Sequence, residues 1–238
     1  MARPVHLLHD AAGLARMLAV ESPCCAQIAM PTNLSAGRPP AAWGAFVEAN
    51  PLSEGWLVDA ELPARRIVSY SGTLADTPFG DDPRTWMRSG HDRLKSFLDE
   101  VEPALRRHGR TLCLRPHHRH VIGDVHSSVK LLRERAGSPL EVLLSPGDLL
   151  APSMLGEAED HLVRMFAHLG PIAAGVLLFD LARSPETEEN GLLEACPLGS
   201  GVLPCELLAR LLRENVPEET PIILLPAAAS EQRARVGL

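Results

Sequence analysis

Positive charge is in short supply. The 238 residues carry 23 Lys and Arg against 30 Asp and Glu, a formal net charge of −7. The whole imbalance lies in residues 155–238, with 13 acidic and 6 basic side chains, while residues 1–154 balance at 17 each. Nonspecific nucleic-acid binding needs a basic face that displaces counterions, so no nucleic-acid partner is expected, although residues 93–135 are locally basic. Lysine is nearly missing: Lys95 and Lys130 are the only two, a bias that reads as codon usage rather than chemistry. Cysteine pairs are missing too. Cys24, Cys25, Cys113, Cys196 and Cys205 are odd in number and form no CxxC, which disfavours a disulfide framework or a cysteine-rich zinc site. The adjacent Cys24 and Cys25 read as small buried residues rather than a redox pair. No stretch of about 18 uncharged apolar residues occurs, and MARPVHLLHDAAGL has no continuous apolar h-region. The sequence therefore predicts a soluble, cytoplasmic protein with no membrane partner.

What is present is a globular composition, with 45 % hydrophobic and 22 % charged residues, which rules out a collagen-like, coiled-coil or disordered chain. The length suits two small domains or one α/β barrel of about 200–250 residues. Short Leu/Ile/Val runs at Leu112–Leu114, Val142–Leu144, Val176–Phe179 and Ile222–Leu225 have too few residues for helices and no polar alternation. They read as parallel strands covered on both faces. Helical periods separate them. Leu94, Phe97, Leu98, Val101 and Leu105 recur at steps of three and four, with Gly109 where a C-terminal cap would sit. Further helices are predicted over about 127–136, starting at Ser127 or Ser128, over about 155–169, and over about 204–214, where Pro204 suits a first turn. Strand–helix alternation implies right-handed crossovers and a parallel sheet, open or closed. In the first half Ile67–Tyr70, Gln27–Met30 and Val5–Leu8 read as strands, and Trp56–Ala60 as strand or helix. Residues 31–55 and 71–90 read as long loops, and no internal repeat is evident.

The segments TLCLRPHHRH, EVLLSPGDLL, GVLLFDLA, PLGSGVLPCELLARLL and PIILLPAAA follow one another in an order and spacing that resembles the sugar phosphate isomerase/epimerase superfamily, the xylose isomerase-like TIM barrels. That resemblance covers the last 120 or so residues. It implies an α/β (β/α)8 TIM barrel, compact or partly degenerate, with residues 1–238 as a single domain. The family places metal-binding Glu, Asp, His and Glu at successive strand ends. Here Arg115 stands where the first Glu is expected and Ser145 where the Asp is, with Gly147 retained and Asp148 in place of the following His. Leu177 replaces the next His while Asp180 is kept, and Leu225 or Pro226 replaces the last Glu. The resemblance thus implies an isomerase or epimerase architecture whose divalent-metal ligands are lost, and no cofactor is predicted.

In such barrels, functional residues sit at the C-terminal strand ends. This puts Tyr70, Arg115, His117, Ser145, Asp148 and Asp180 around one mouth. Arg115, with Ser145 and Tyr70, is a candidate ligand-binding set: a planar guanidinium can hold a phosphate or carboxylate of a sugar-like ligand by two parallel hydrogen bonds. The competing reading is a salt bridge from Arg115 to Asp148 or Asp180 that plugs the mouth. His117, Asp148 and Asp180 are candidate proton-transfer residues. Against this, the aspartates can equally serve as a helix cap and a loop anchor, and Ser145-Pro-Gly-Asp148 has the composition of a turn. His117, His118, His120 and His126, with Asp124 between, match no named zinc spacing and read as a polar loop after a strand, with a divalent metal at His117 and His120 as the alternative. Gly199-Ser-Gly201 is a weak phosphate-cradle signal. Trp43, Trp56 and Trp86 read as packing residues. Two functions remain open: a metal-independent enzyme acting on a sugar-like anion, and a non-catalytic barrel that senses a ligand or docks a protein.

Overall fold

The computed structural model describes residues 3–12, 25–32, 41–53, 62, 64–184 and 192–238. Its strands are β1 (Val5–Asp10), β2 (Gln27–Pro31), β3 (Ala42–Phe46), β4 (Ala64–Tyr70), β5 (Thr111–Arg115), β6 (Leu140–Leu144), β7 (Gly175–Leu178), β8 (Asp180–Ala182), β9 (Glu194–Cys196) and β10 (Ile222–Leu224). Its α-helices are α1 (Arg88–Arg107), α2 (Val125–Glu134), the single turn α3 (Pro146–Leu149), α4 (Ala158–Leu169), α5 (Cys205–Asn215) and α6 (Ala229–Arg235). Eight strands close a barrel in the order β1-β10-β7-β6-β5-β4-β3-β2, and β8 pairs with β9 separately.

The expected α/β barrel is present, with one departure. β2 runs antiparallel to both β1 and β3, whereas the other neighbouring strands are parallel. The barrel is therefore mixed rather than a uniform (β/α)8. The eighth strand is also not the expected one. Trp56–Ala60 lies outside the described residues, and β3 falls inside the segment read as a loop. Its sequence, Ala-Trp-Gly-Ala-Phe, has no β-branched residue to signal a strand. It is nonetheless buried along four of its five positions.

The apolar runs form strands because both faces are covered. On the outside, Ile67, Leu112 and Leu114 pack with Leu94, Phe97, Leu98, Val101 and Leu105 of α1. A larger cluster joins β6, β7 and β10 to Leu162, Met165, Phe166 and Leu169 of α4 and Leu208, Leu211 and Leu212 of α5. Gly109, at φ 59°, follows α1 as expected. The predicted start of α2 shifts: Asp124, not Ser127 or Ser128, is the N-cap, and its carboxylate accepts the Ser127 N–H at 2.8 Å.

Inside the barrel, β4 and β6 are bridged across β5. Arg66 Nε donates to Glu141 Oε2 at 2.7 Å, and the Arg66 guanidinium lies 5.3 Å from the centre of a Trp43 ring. Trp43 covers Gly175 so closely that a Cβ there would stand 2.7 Å from the indole. These residues lie at or near the starts of their strands, so they fill the N-terminal end. Trp43 is thus a packing residue, as expected, while Trp86 is 39 % exposed and Trp56 lies outside the described residues.

Candidate functional site

The opposite, C-terminal end is built from the last residues of β4 and β5 and the turns after β5, β6 and β7. Tyr70 and Arg115 are neighbours in the β4–β5 register and therefore project to the same side of the sheet. After β6, Ser145 opens the one-turn helix α3, which carries Asp148 back over the barrel. Arg115 Nε donates to Asp148 Oδ2 at 2.6 Å and its Nη2 to Oδ1 at 3.0 Å, a bidentate pair. The two side chains are only 13 % and 7 % exposed. The guanidinium lies 4.6 Å from the Tyr70 ring centre and 6.0 Å from that of Phe179. Burial works against the charge of Arg115, yet the Asp148 carboxylate beside it holds its pKa above the ordinary value. Burial, reinforced by Asp148, pushes the Tyr70 phenol up. Of the two readings of Arg115, the salt bridge to Asp148 is the one present, with two aromatic rings beside it.

The histidine segment folds onto this pair rather than into solvent. The His117 N–H donates to Ile122 O and the His118 N–H to Asp148 O, tying the loop to the barrel and to α3. His117 Nδ1 accepts the Arg119 N–H at 3.0 Å, His118 Nδ1 donates to Asp148 O at 3.1 Å, and His120 Nε2 donates to Pro78 O at 2.7 Å. His120 stacks on Phe79, with centres 5.4 Å apart and planes at 5°, and meets Tyr70 edge-on at 4.8 Å. His117 and His118 stack at 4.4 Å. Burial lowers the pKa of all three imidazoles, that of His120 to about 4. The reading of this segment as a solvated polar loop is thereby corrected for His117 and His120, which are buried. His126, on α2, is exposed.

Asp180 is separated from this group in its bonding. It is fully buried, and its two oxygens accept four backbone N–H groups: Leu181 and Leu203 on Oδ1, each at 2.8 Å, and Gly199 and Gly201 on Oδ2, at 3.0 and 2.9 Å. The Gly199-Ser-Gly201 cradle thus exists, but the anion it holds is the chain's own carboxylate. A Cβ at position 201 would collide with Leu181 O and the Asp180 carboxylate, so glycine is needed there. Ser145 is buried, and its hydroxyl is among the buried polar atoms without a hydrogen-bond partner.

These donors do not fit the divalent metal that the resemblance implies at the strand ends. Among the described residues, no three His, Cys, Asp or Glu side chains gather where they could hold a metal ion. Arg115, at the strand end where the resemblance implies the first ligand, carries a fixed positive charge, and both oxygens of the nearest carboxylate are bound to it. At the alternative pair, the His117 and His120 rings are 5.1 Å apart, and one nitrogen of each is committed to the backbone. Sequence reasoning missed Phe79 and Phe179. Phe179 continues the apolar run of β7 and was legible as a strand residue, whereas Phe79 lies in the loop over residues 71–90 with no periodic signal.

No protein-family model matches the chain, and no curated protein matches it in sequence. Solved structures do. The chain is similar to L-ribulose 3-epimerase, with TM-score 0.52 and 10 % identity over 82 % of this chain and 66 % of that one. It is also similar to D-psicose 3-epimerase crystallised in the presence of D-fructose, with TM-score 0.51 and 12 % identity over 76 % and 63 %. The likeness is one of barrel fold, and the chain spans less than two thirds of the length of both structures. Identities this low carry the fold and no activity.

Proposed function

We propose that this chain is a xylose isomerase-like barrel that has given up metal-assisted sugar isomerisation and serves as a binding scaffold. The observation that carries this reading is the bidentate Arg115–Asp148 pair, closed between Tyr70 and Phe179. Isomerisation or epimerisation of a sugar needs a base at the carbon that loses its proton and an electrophile that takes up the developing oxyanion. The Arg115 charge is already neutralised by Asp148 on the Nε–Nη2 edge of its guanidinium, and Asp148 is a poor base while it is bound to Arg115. The lone pairs of Asp180 are taken by four backbone N–H groups. His117 is held neutral in a buried stack, with Nδ1 already accepting a hydrogen bond.

The reading is tested by incubating the protein with D-psicose, D-fructose and L-ribulose, with and without Mn²⁺ or Mg²⁺, and following epimer formation by chromatography. The expected result is no metal-dependent turnover and no saturable Mn²⁺ binding by calorimetry. Metal-dependent turnover that disappears in Arg115→Met or Asp148→Asn overturns the scaffold reading. It would favour instead a metal-assisted enzyme whose substrate opens the Arg115–Asp148 pair.

A further inference from the structure

Beside the closed mouth, on the outer surface, helices α2 and α4 diverge over a groove of about 570 Å³. That volume lies within the range of small-molecule sites, roughly 300–1,000 Å³. Its floor is apolar: Val125 and Val129 of α2, Leu149 of α3, Met154, and Met165 of α4. Two of these are methionines, whose unbranched, polarisable side chains adapt to the shape of an apolar guest. Its rim is cationic or imidazole-bearing, with Arg133 from α2, Arg164 from α4, and His118, His126, His161 and His168. Asp124 is the only acidic lining residue, and its carboxylate is committed to capping α2.

The two arginines at this rim differ from seven others. Arg66, Arg84, Arg88, Arg106, Arg115, Arg119 and Arg135 each reach a carboxylate. Among the described residues, Arg133 and Arg164 make no ion pair and no side-chain hydrogen bond, and His118, which lines the same groove, keeps a buried Nε2 without a partner. A cavity with an apolar floor and two uncompensated guanidinium groups on opposite walls is complementary to one class of guest, an apolar body carrying a single anionic head. We propose that this groove binds a small amphipathic carboxylate, its hydrocarbon part on Met154, Met165 and the valines and its carboxylate between Arg133 and Arg164. The proposal goes beyond the reading of the barrel mouth and stands whether or not the mouth is catalytic, because none of the groove's cations takes part in the Arg115–Asp148 pair.

The test uses the full chain labelled with ¹³C at its methionine methyl groups, titrated with octanoate and, separately, with octan-1-ol as an uncharged analogue. Octanoate is expected to shift the Met154 and Met165 resonances saturably, with a Kd below about 1 mM. Arg133 and Arg164 are both exposed, so Arg133→Gln/Arg164→Gln is expected to keep the parent melting temperature. That variant should weaken octanoate binding by at least about tenfold, the scale of losing charge-assisted hydrogen bonds, while octan-1-ol binds both proteins equally. Methyl groups unmoved by octanoate, or octanoate binding equal in parent and variant, overturns the proposal. The same octanoate loss accompanied by metal-dependent sugar turnover would leave the groove standing and remove only the reading of the mouth.

Discussion

The charges of Arg115 and Asp148 are buried together at the C-terminal end of the barrel. A buried charge is tolerable only when paired and hydrogen-bonded, and here each charge has the other as a bidentate partner with exposures of 13 % and 7 %. Removing one member leaves the other uncompensated. Arg115→Ala is expected to destabilise the protein by about 3–5 kcal/mol, because the Asp148 carboxylate loses its counterion and the Tyr70 ring loses the cation above it. Replacing both members with apolar residues of similar volume, Arg115→Met with Asp148→Leu, is expected to recover most of that loss, since no buried charge then remains. Urea denaturation of the two variants and the parent checks this. A double variant as unstable as Arg115→Ala would mean that the pair contributes through something other than mutual neutralisation.

At the scale of elements, Asp180 is the hinge between the barrel and the return loop over residues 197–203. Its four accepted N–H bonds replace what a loop of irregular backbone cannot supply to itself. Asp180→Ala strands two buried donors, the Leu181 and Leu203 N–H groups, each costing about 1–3 kcal/mol, and frees those of Gly199 and Gly201. The expected loss is therefore about 3 kcal/mol or more, with amide exchange at Gly199, Gly201 and Leu203 accelerated beyond the core strands; unchanged exchange there would refute the anchoring role. The sequence had offered Asp180 both as a proton-transfer residue and as a loop anchor, and only the three-dimensional return of Gly199–Leu203 distinguishes them. Other elements were plain beforehand. The runs at 112–114, 142–144, 176–179 and 222–225 and the periodic helices between them were legible because burial on both faces, or on one stripe, leaves a one-dimensional pattern. β3 was not, because Ala42, Gly44 and Ala45 are small rather than branched and serve to admit close neighbours: a Cβ on Gly44 would lie 2.9 Å from Val68. The reversal of β2 was illegible for another reason, since strand direction leaves no mark on composition. At the candidate site, the strand-end positions of Tyr70 and Arg115 could be read from the apolar runs. That Arg115 and Asp148 would pair, rather than await a ligand, depended on α3 turning back over the barrel.

Across the whole molecule, the buried histidines couple the fold to pH in one direction. His6, His9, His117, His118 and His120 all have lowered pKa values, with burial the largest cause in each case. At the mouth, the groups facing the three imidazoles are Arg115, Arg119, Asp148 and the other imidazoles, and the cations add to the effect of burial. The hydrogen bonds agree: His117 accepts at Nδ1, and His118 and His120 each donate through one nitrogen, all compatible with neutral rings. A base whose pKa is lower in the folded than in the unfolded chain binds its proton preferentially when unfolded. Stability is then fully present above the unfolded value of about 6.5 and falls as the pH drops towards the folded value. For His120 that window runs from about 6.5 down to about 4, and for His117 it extends lower still. Near pH 5 these two alone account for about two protons taken up on unfolding, so stability should fall by roughly 2–3 kcal/mol per pH unit there. Denaturant melts at half-unit steps from pH 8 to pH 4 measure that slope directly. His120→Gln, which keeps an amide able to donate to Pro78 O, is expected to flatten it by about one proton. A slope insensitive to His120→Gln would mean that this imidazole is already protonated in the folded barrel.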